Sequence, residues 1–297
     1  MQDLYQSVTD RIVAALEQGT PPWVRPWSTI PEAIPMNAKA RRPYRGINFA
    51  LLSLEASTRG YPTNRWLTYR QALELGGQVR CGQHGTTVVF WQLRRVGVTA
   101  ETYPDDNTPS FPDKVYPLLR AYTVFNVAQV EGLPATYTQC AKARWEPEAK
   151  AEELLLMSGA QIRHGGAKAF YLPSSDEIQM PPRAAFATAL GYYNVALHEL
   201  THWTGHDTRC NRQLVGRFGD AAYAAEELIA EMGAAYLCAH CSLDGELRHA
   251  SYVASWLQVL RSDKRAIFTA AAQAQRAADH VLGLANPIGA DAIALAA

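Results

Sequence analysis

Five consecutive residues carry the strongest chemical signal in the chain: His198-Glu199-Leu200-Thr201-His202. On an α-helix, positions i and i+4 project from one face. Two imidazoles at that spacing can bind one divalent ion, and a carboxylate beside them can take a proton from water on that ion. His198 and His202 are therefore the candidate metal ligands and Glu199 the candidate general base. The bare pentapeptide also arises by chance in ordinary amphipathic helices, so its surroundings decide. Downstream, Ala225-Glu226-Glu227-Leu228-Ile229-Ala230-Glu231 reads as a strong helix with apolar residues on one side. Catalytic zinc often takes two His and one Glu and keeps a position open for water. Glu227 and Glu231 are four apart, so one can complete the ligand set while the other receives an imidazole N–H from behind. A buried carboxylate otherwise costs roughly several kcal/mol unless it is paired or metal-bound. Zn2+ is the expected ion, with another divalent metal such as Mn2+ as the alternative.

His206 is a rival third ligand, since it lies four residues past His202. Gly205 intervenes and is expected to break the helix, which leaves His206 a substrate-facing or structural role. Tyr223 and His206 are candidates for hydrogen-bonding an oxyanion. Cys238 and Cys241 form a CxxC, but no second pair answers it, so buried thiols are expected there rather than a structural zinc.

The elements that must position these groups follow from periodicity. Leu4, Val8, Ile12, Val13 and Leu16 recur at helical spacing, and Gly19 precedes Pro21-Pro22. Short helices are predicted over 48–56 and 68–75, the second ended by Gly76-Gly77. Thr86 to Leu93 is a β-branched and aromatic run and predicts a strand, with Tyr122 to Val127 as its partner. Between them, 101–113 holds three prolines and four acids and reads as a solvated excursion. A helix from Glu148 to Met157 opens the second half, followed by short strands at 160–163, 169–172 and 177–180. A long helix over about 182–204 carries the metal motif, and helices at 226–237, 252–260 and 263–281 follow. The fold class is α+β in two domains. Residues 1–130 form an α+β domain with a small sheet, 131–147 a linker, 148–285 a mainly helical domain, and 286–297 a tail.

Formal charge is zero overall but unevenly spread. Residues 20–95 hold eleven Lys/Arg against three acids, a net +8 that the rest of the chain balances. Aromatics interleave with these cations, above all from Lys39 to Asn48. Cations for phosphates and rings for bases are the two requirements of single-stranded nucleic acid binding. Arg41, Arg42, Arg45, Lys39, Tyr44 and Trp27 are the candidate DNA contacts, while Trp66 and Trp91 are expected in the core. Arginines that merely solubilise an aromatic core are the plain alternative. The start of the chain is not an apolar leader, no run of 18 apolar residues occurs, and the five cysteines are odd in number. A cytoplasmic location with free thiols and no membrane span is expected.

Two resemblances sharpen this reading. HExxH followed by a helix reading ExxxE resembles the gluzincin pattern, which implies Glu227 as the ligand and Glu231 behind it. Pro22-Trp23 with Pro26-Trp27, Asn37, Tyr44-Arg45-Gly46-Ile47-Asn48, Trp66-Leu67-Thr68, Gln71, Gly76-Gly77, Val79-Arg80 with Gly82, and Val124-Phe125-Asn126-Val127 look like the N-terminal domain of ArdC-type antirestriction proteins. The second half is similar to their metallopeptidase domain through residues 198–206, 226–231 and the helices within 250–281. The resemblance covers nearly the whole chain in order. It implies a protein of conjugative plasmids that binds single-stranded DNA and helps incoming DNA escape host restriction; duplex, whose base faces are hidden, is expected to bind more weakly. A host restriction-system protein is then the candidate substrate of the peptidase half. Two other classes compete: a DNA-binding protein with a purely structural metal, and a general cytosolic metallopeptidase whose basic half recruits protein.

Overall fold

The computed structural model describes residues 3–18, 34–96, 114–138, 147–186, 188–212, 221–243 and 252–283. Trp27, the 101–113 excursion, residues 139–146 of the expected linker and the 286–297 tail lie outside the described residues.

Helix α1 (Leu4–Glu17) begins at Asp3, whose carboxylate accepts from the Tyr5 and Gln6 amides. A five-stranded sheet follows, in the order β2 (Arg42–Pro43), β1 (Met36–Asn37), β3 (Arg65–Thr68), β6 (Lys114–Asn126), β5 (Thr86–Val96). The two β-rich runs do pair, as β5 and β6, but β6 begins eight residues before Tyr122 and the antiparallel ladder is longer than predicted, from Thr86 opposite Val124 to Val96 opposite Lys114. The two-residue strands β1 and β2 carry no alternation and were not legible. Their tight hairpin turns on Asn37, whose side chain accepts from the Ala40 amide, and on Arg41 at φ +54°. Helix α2 (Ile47–Thr58) lies beside β5, where the Asn48 amide both donates to and accepts from the Val89 backbone. That pairing satisfies one residue of the sheet's outer edge. Thr68 and Gln71 form a capping box at the start of α3 (Tyr69–Glu74). Strands β4 (Gln78–Val79) and β7 (Val130–Glu131) pair separately, and α4 (Ala135–Thr138) follows.

The second half places α5 (Pro147–Met157) ahead of a three-stranded sheet in the order β8 (Gln161–His164), β10 (Glu177–Met180), β9 (Phe170–Leu172). Helix α6 (Ala189–Trp203) starts later than the sequence suggests. A single helical turn at 183–185 ends at Phe186, in extended backbone, and Thr188 caps α6 by accepting from the Gly191 amide. Helices α7 (Ala221–Cys241), α8 (Val253–Ser262) and α9 (Ala266–Val281) complete the bundle.

The two halves share one core. Val8, Ile12 and Leu16 of α1, Phe49 and Leu51 of α2, and Val89 of β5 join Leu197, Leu200, Leu228, Trp256 and Ile267 in a single buried cluster. Helix α1 packs on α8, and Thr9 donates to the Lys264 carbonyl at 2.8 Å. Residues of the N-terminal half thus complete the core of the C-terminal half.

Candidate metal centre

Helix α6 is buried over most of its length, which brings the histidine motif into the protein interior. His198 and His202 are both within its regular part, with ring centroids 4.8 Å apart. The packed partner is α7, and the approach is close because residue 233 is glycine. A Cβ there would meet Thr201 Cγ2 at 2.5 Å. Thr201 lies between the two histidines, so a small residue at 233 is what lets α7 present its carboxylates to them.

The donors converge. His198 Nε2 lies 3.6 Å from Glu227 Oε2, and His202 Nε2 lies 3.6 Å from Glu227 Oε1. All three side chains are at least nearly buried, and their donor atoms fall within 4.8 Å of one another. Ligand atoms each about 2.1 Å from a tetrahedral ion stand about 3.4 Å apart, so this trio fits a divalent metal. Glu199 is buried on the same helix.

The groups behind the ligands are well partnered. His202 Nδ1 lies 3.1 Å from Glu226 Oε1. Glu226 in turn accepts from Arg212 Nη2 at 2.8 Å and from Arg212 Nε at 3.0 Å. Arg212 also donates to the Thr204 hydroxyl and the Thr201 carbonyl, which ties α6, α7 and the segment after α6 together. Glu231 Oε1 stands 3.9 Å from His198 Nδ1, on the outer side of that ring. Burial disfavours a charged His202, but the Glu226 and Glu227 carboxylates outweigh it and push the ring up to about 10. Burial raises Glu226 and Glu227, and their histidine partners, with Arg212 for Glu226, reverse that and hold both carboxylates low. The Tyr223 hydroxyl lies 3.1 Å from that of Tyr252; burial, Tyr252 and the Glu227 carboxylate all keep its proton on.

His198, Glu199, His202, Glu227, Glu231 and Tyr223 thus gather at one place, whereas His206 does not join the ligand cluster. Past the end of α6, its Nδ1 lies 2.8 Å from the Thr208 hydroxyl and 2.9 Å from Asp207. Glu226, Arg212 and Tyr252 were missed. Two ligating imidazoles need two outer acceptors, and α7 supplies three carboxylates, so Glu226 was available to that argument. Arg212 and Tyr252 lie outside any pattern that spacing reveals. Cys238 and Cys241 are buried thiols, Cys238 donating to the Asn194 side chain at 3.0 Å, and neither belongs to a metal-binding cluster among the described residues.

The expected DNA contacts separate into two sets. Arg41 and Arg42 are exposed. Lys39 is exposed and ion-paired with Glu74. The other two point inward. Tyr44 is buried among Leu52, Trp66, Val88 and Val124, because its ring closes one end of the sheet's small core, so it is not an open stacking platform. Arg45 turns inward to pair with Asp279 of α9, a buried carboxylate. Among the described residues no helix is long and apolar enough to cross a membrane.

Comparison with known proteins agrees over nearly the whole chain. Residues 2–125 match the family described as the N-terminal domain of anti-restriction factor ArdC, and residues 149–273 match a zincin-like metallopeptidase family. An uncharacterized protein, y4eC, of Sinorhizobium fredii is 43% identical over 93% of this chain and 91% of its own length. DNA primase TraC of Escherichia coli is 37% identical over 94% of this chain, which spans only 27% of that larger protein. The crystal structure of the antirestriction ArdC protein of plasmid R388, metal-free, superposes with a TM-score of 0.79 at 44% identity, covering 95% of this chain and 97% of that one. Its Mn(II)-bound form gives 0.77 at 43% identity, with 96% and 99% covered. Sequence and fold therefore agree that this chain belongs to the ArdC-type antirestriction family.

Proposed function

We propose that this chain binds single-stranded DNA and carries a divalent-metal-dependent peptidase, and that it helps conjugatively transferred plasmid DNA escape host restriction. The observation that carries the enzymatic part is the convergence of both Nε2 atoms on the two oxygens of one buried carboxylate, Glu227. Bound there by His198, His202 and Glu227, a divalent ion would supply Lewis acidity for attack of water on a carbonyl. Zinc suits two imidazoles and a carboxylate; the Mn(II)-bound relative supports manganese as the alternative.

The chain's own groups have distinct tasks. Glu226 accepts the Nδ1 proton of His202 and so fixes Nε2 as the ring's lone-pair donor. Glu231 is in the corresponding position behind His198. Glu199 takes a proton at its carboxylate and returns it to a leaving amine. Tyr223 keeps its proton and can donate to an oxyanion. A purely structural metal usually has four protein ligands; here three potential donors cluster among the described residues, which favours an open, catalytic position.

Full-length protein should hold one metal per chain, bind an oligonucleotide in a salt-dependent way, and cleave a subunit of a restriction system. Glu199→Gln should keep the metal and slow cleavage about 10²–10⁴-fold. Wild-type cleavage by that variant would remove the general-base assignment. Salt-insensitive or absent oligonucleotide binding would favour a general metallopeptidase.

A further inference from the structure

One face of the five-stranded sheet carries a cleft remote in sequence from the metal motif, and strand register determines its lining. Asn37 pairs with Arg42 on one side and Trp66 on the other. Thr68 pairs with Val124, while Val88 and Phe90 stand opposite Tyr122 and Arg120. Cross-strand partners, and residues two apart on a strand, share a face. Arg42, Asn37, Thr68, Tyr122, Phe90 and Arg120 therefore lie on one side of the sheet.

The cleft on that side, lined by Asn37, Thr68, Phe90 and Tyr122 but by neither arginine, has a volume of about 360 Å³, in the range of ligand pockets. Buried Val88 and Val124 are its floor. Tyr44, Phe90 and Tyr122 supply three rings in series, with centroids 6.4 Å and then 5.6 Å apart. Tyr122 remains 46% exposed, unlike the fully buried Trp66 on the same face. The Tyr44 hydroxyl accepts from Asn37 Nδ2 at 3.3 Å, and among the described residues no acceptor takes its own proton. Arg42 and Arg120 are exposed and have no carboxylate partner among the described residues.

We infer that this cleft takes one unstacked nucleobase of single-stranded DNA, stacked on Tyr122, with phosphates further along the same strand on Arg42 and Arg120. The inference rests on the DNA-binding reading above and gives it a location. An apolar floor, exposed aromatic surface and a polar donor at one end suit a planar heterocycle with acceptors on its edge. The exposed guanidiniums on the same face supply charge complementary to the strand's backbone. Duplex DNA cannot enter, because its base faces are already stacked. Tyr44 regains a place in recognition, as a wall of the cleft.

The test is a fluorescence-anisotropy titration of full-length protein with labelled oligothymidylate at two salt concentrations. Tyr122→Ala should weaken binding about 5- to 150-fold with an unchanged salt slope, the range for losing one base stack. Tyr122→Trp should restore affinity. An abasic oligonucleotide of equal charge should not distinguish wild type from Tyr122→Ala. If wild type binds DNA and Tyr122→Ala binds equally well, the cleft is not a base site and DNA binding lies elsewhere. If the abasic strand distinguishes them, Tyr122 contacts backbone and the base assignment fails. Failure of wild type to bind any single strand overturns the DNA reading and this inference together, and leaves the cleft to a protein partner.

Discussion

The metal centre and the sheet-face cleft both gather polar groups, but they treat charge in opposite ways. At the metal centre, Glu226 is held by His202 and Arg212 in a buried network, and Arg212 makes further bonds to Thr201 and Thr204. On the sheet face, Arg42 and Arg120 stand in water without carboxylate partners among the described residues. A site that must hold an ion and reacting groups within fractions of an ångström needs every donor fixed from behind. A surface that follows a flexible polyanion needs its cations unpaired, since a guanidinium already neutralised by a carboxylate gains little from a phosphate. Arg45 shows the difference within one short segment: it lies three residues from Arg42, yet it is half-buried and paired with a carboxylate.

The largest effect follows from that assignment. Arg45 bridges to Asp279, while the neighbouring Gly46 amide and carbonyl are taken by Gln275 and Tyr236 of the C-terminal half. Gly46 has φ +54°, a conformation that suits glycine. Removing Arg45 leaves Asp279 buried with Gln275 as its remaining side-chain donor among the described residues. Arg45→Ala should therefore lower unfolding stability by about 3 kcal/mol, the low end for a broken buried pair, because part of Arg45 still reaches water. Urea denaturation measures it. A change within the roughly 0.5 kcal/mol usual for surface positions would return Arg45 to the DNA-facing class.

A smaller effect tests the fixed side of the comparison. Glu226→Gln keeps the shape but loses the charge that orients His202 and holds Arg212. Metal affinity should fall about 10–100-fold, as for other groups that orient a ligand, with one ion still bound at saturation. Competition with a chelating indicator reads this directly. Unchanged affinity would mean that His202 is positioned by the α6–α7 packing alone.

Legibility in the sequence follows the same division. The histidine pair was readable because one helix supplies both residues at a fixed spacing, and the Glu227/Glu231 pair because a second helix repeats that spacing against an apolar stripe; the choice of Glu227 came from the gluzincin resemblance. The β5–β6 ladder and most helices were readable from periodicity. Strands β1 and β2 were not, since two residues carry no period. The cleft was invisible for a related reason: Asn37, Thr68, Phe90 and Tyr122 come from four strands, and only their register puts them on one face. Clustering of Arg, Tyr and Arg along the chain suggested a contact patch at 41–45, but local sequence does not say which side chains turn inward. Tyr44 and Arg45 turn in because a small core and a buried aspartate are there to receive them.

The smallest effect separates free cations from committed ones. Each phosphate neutralised on a single strand adds about 0.7 to the steepness of log affinity against log salt. Arg42 is exposed on the cleft face and shares a sheet register position with Asn37, so Arg42→Ala should reduce the slope by about 0.7 and leave stability nearly unchanged. Arg41, exposed in the adjacent turn, should behave the same way if the backbone runs past the hairpin. Lys39 is already paired with Glu74, so its removal should change the slope less than that of Arg42. Arg45→Ala should leave the slope alone, measured at a temperature where the variant is fully folded, because its guanidinium is spent on Asp279. The informative quantity is therefore the slope and not the affinity, since a destabilised variant can lose apparent affinity without losing a phosphate contact. Equal slope changes for Arg42 and Arg45 would break the division between the two regions, and would mean that the interface holding α9 opens when DNA binds.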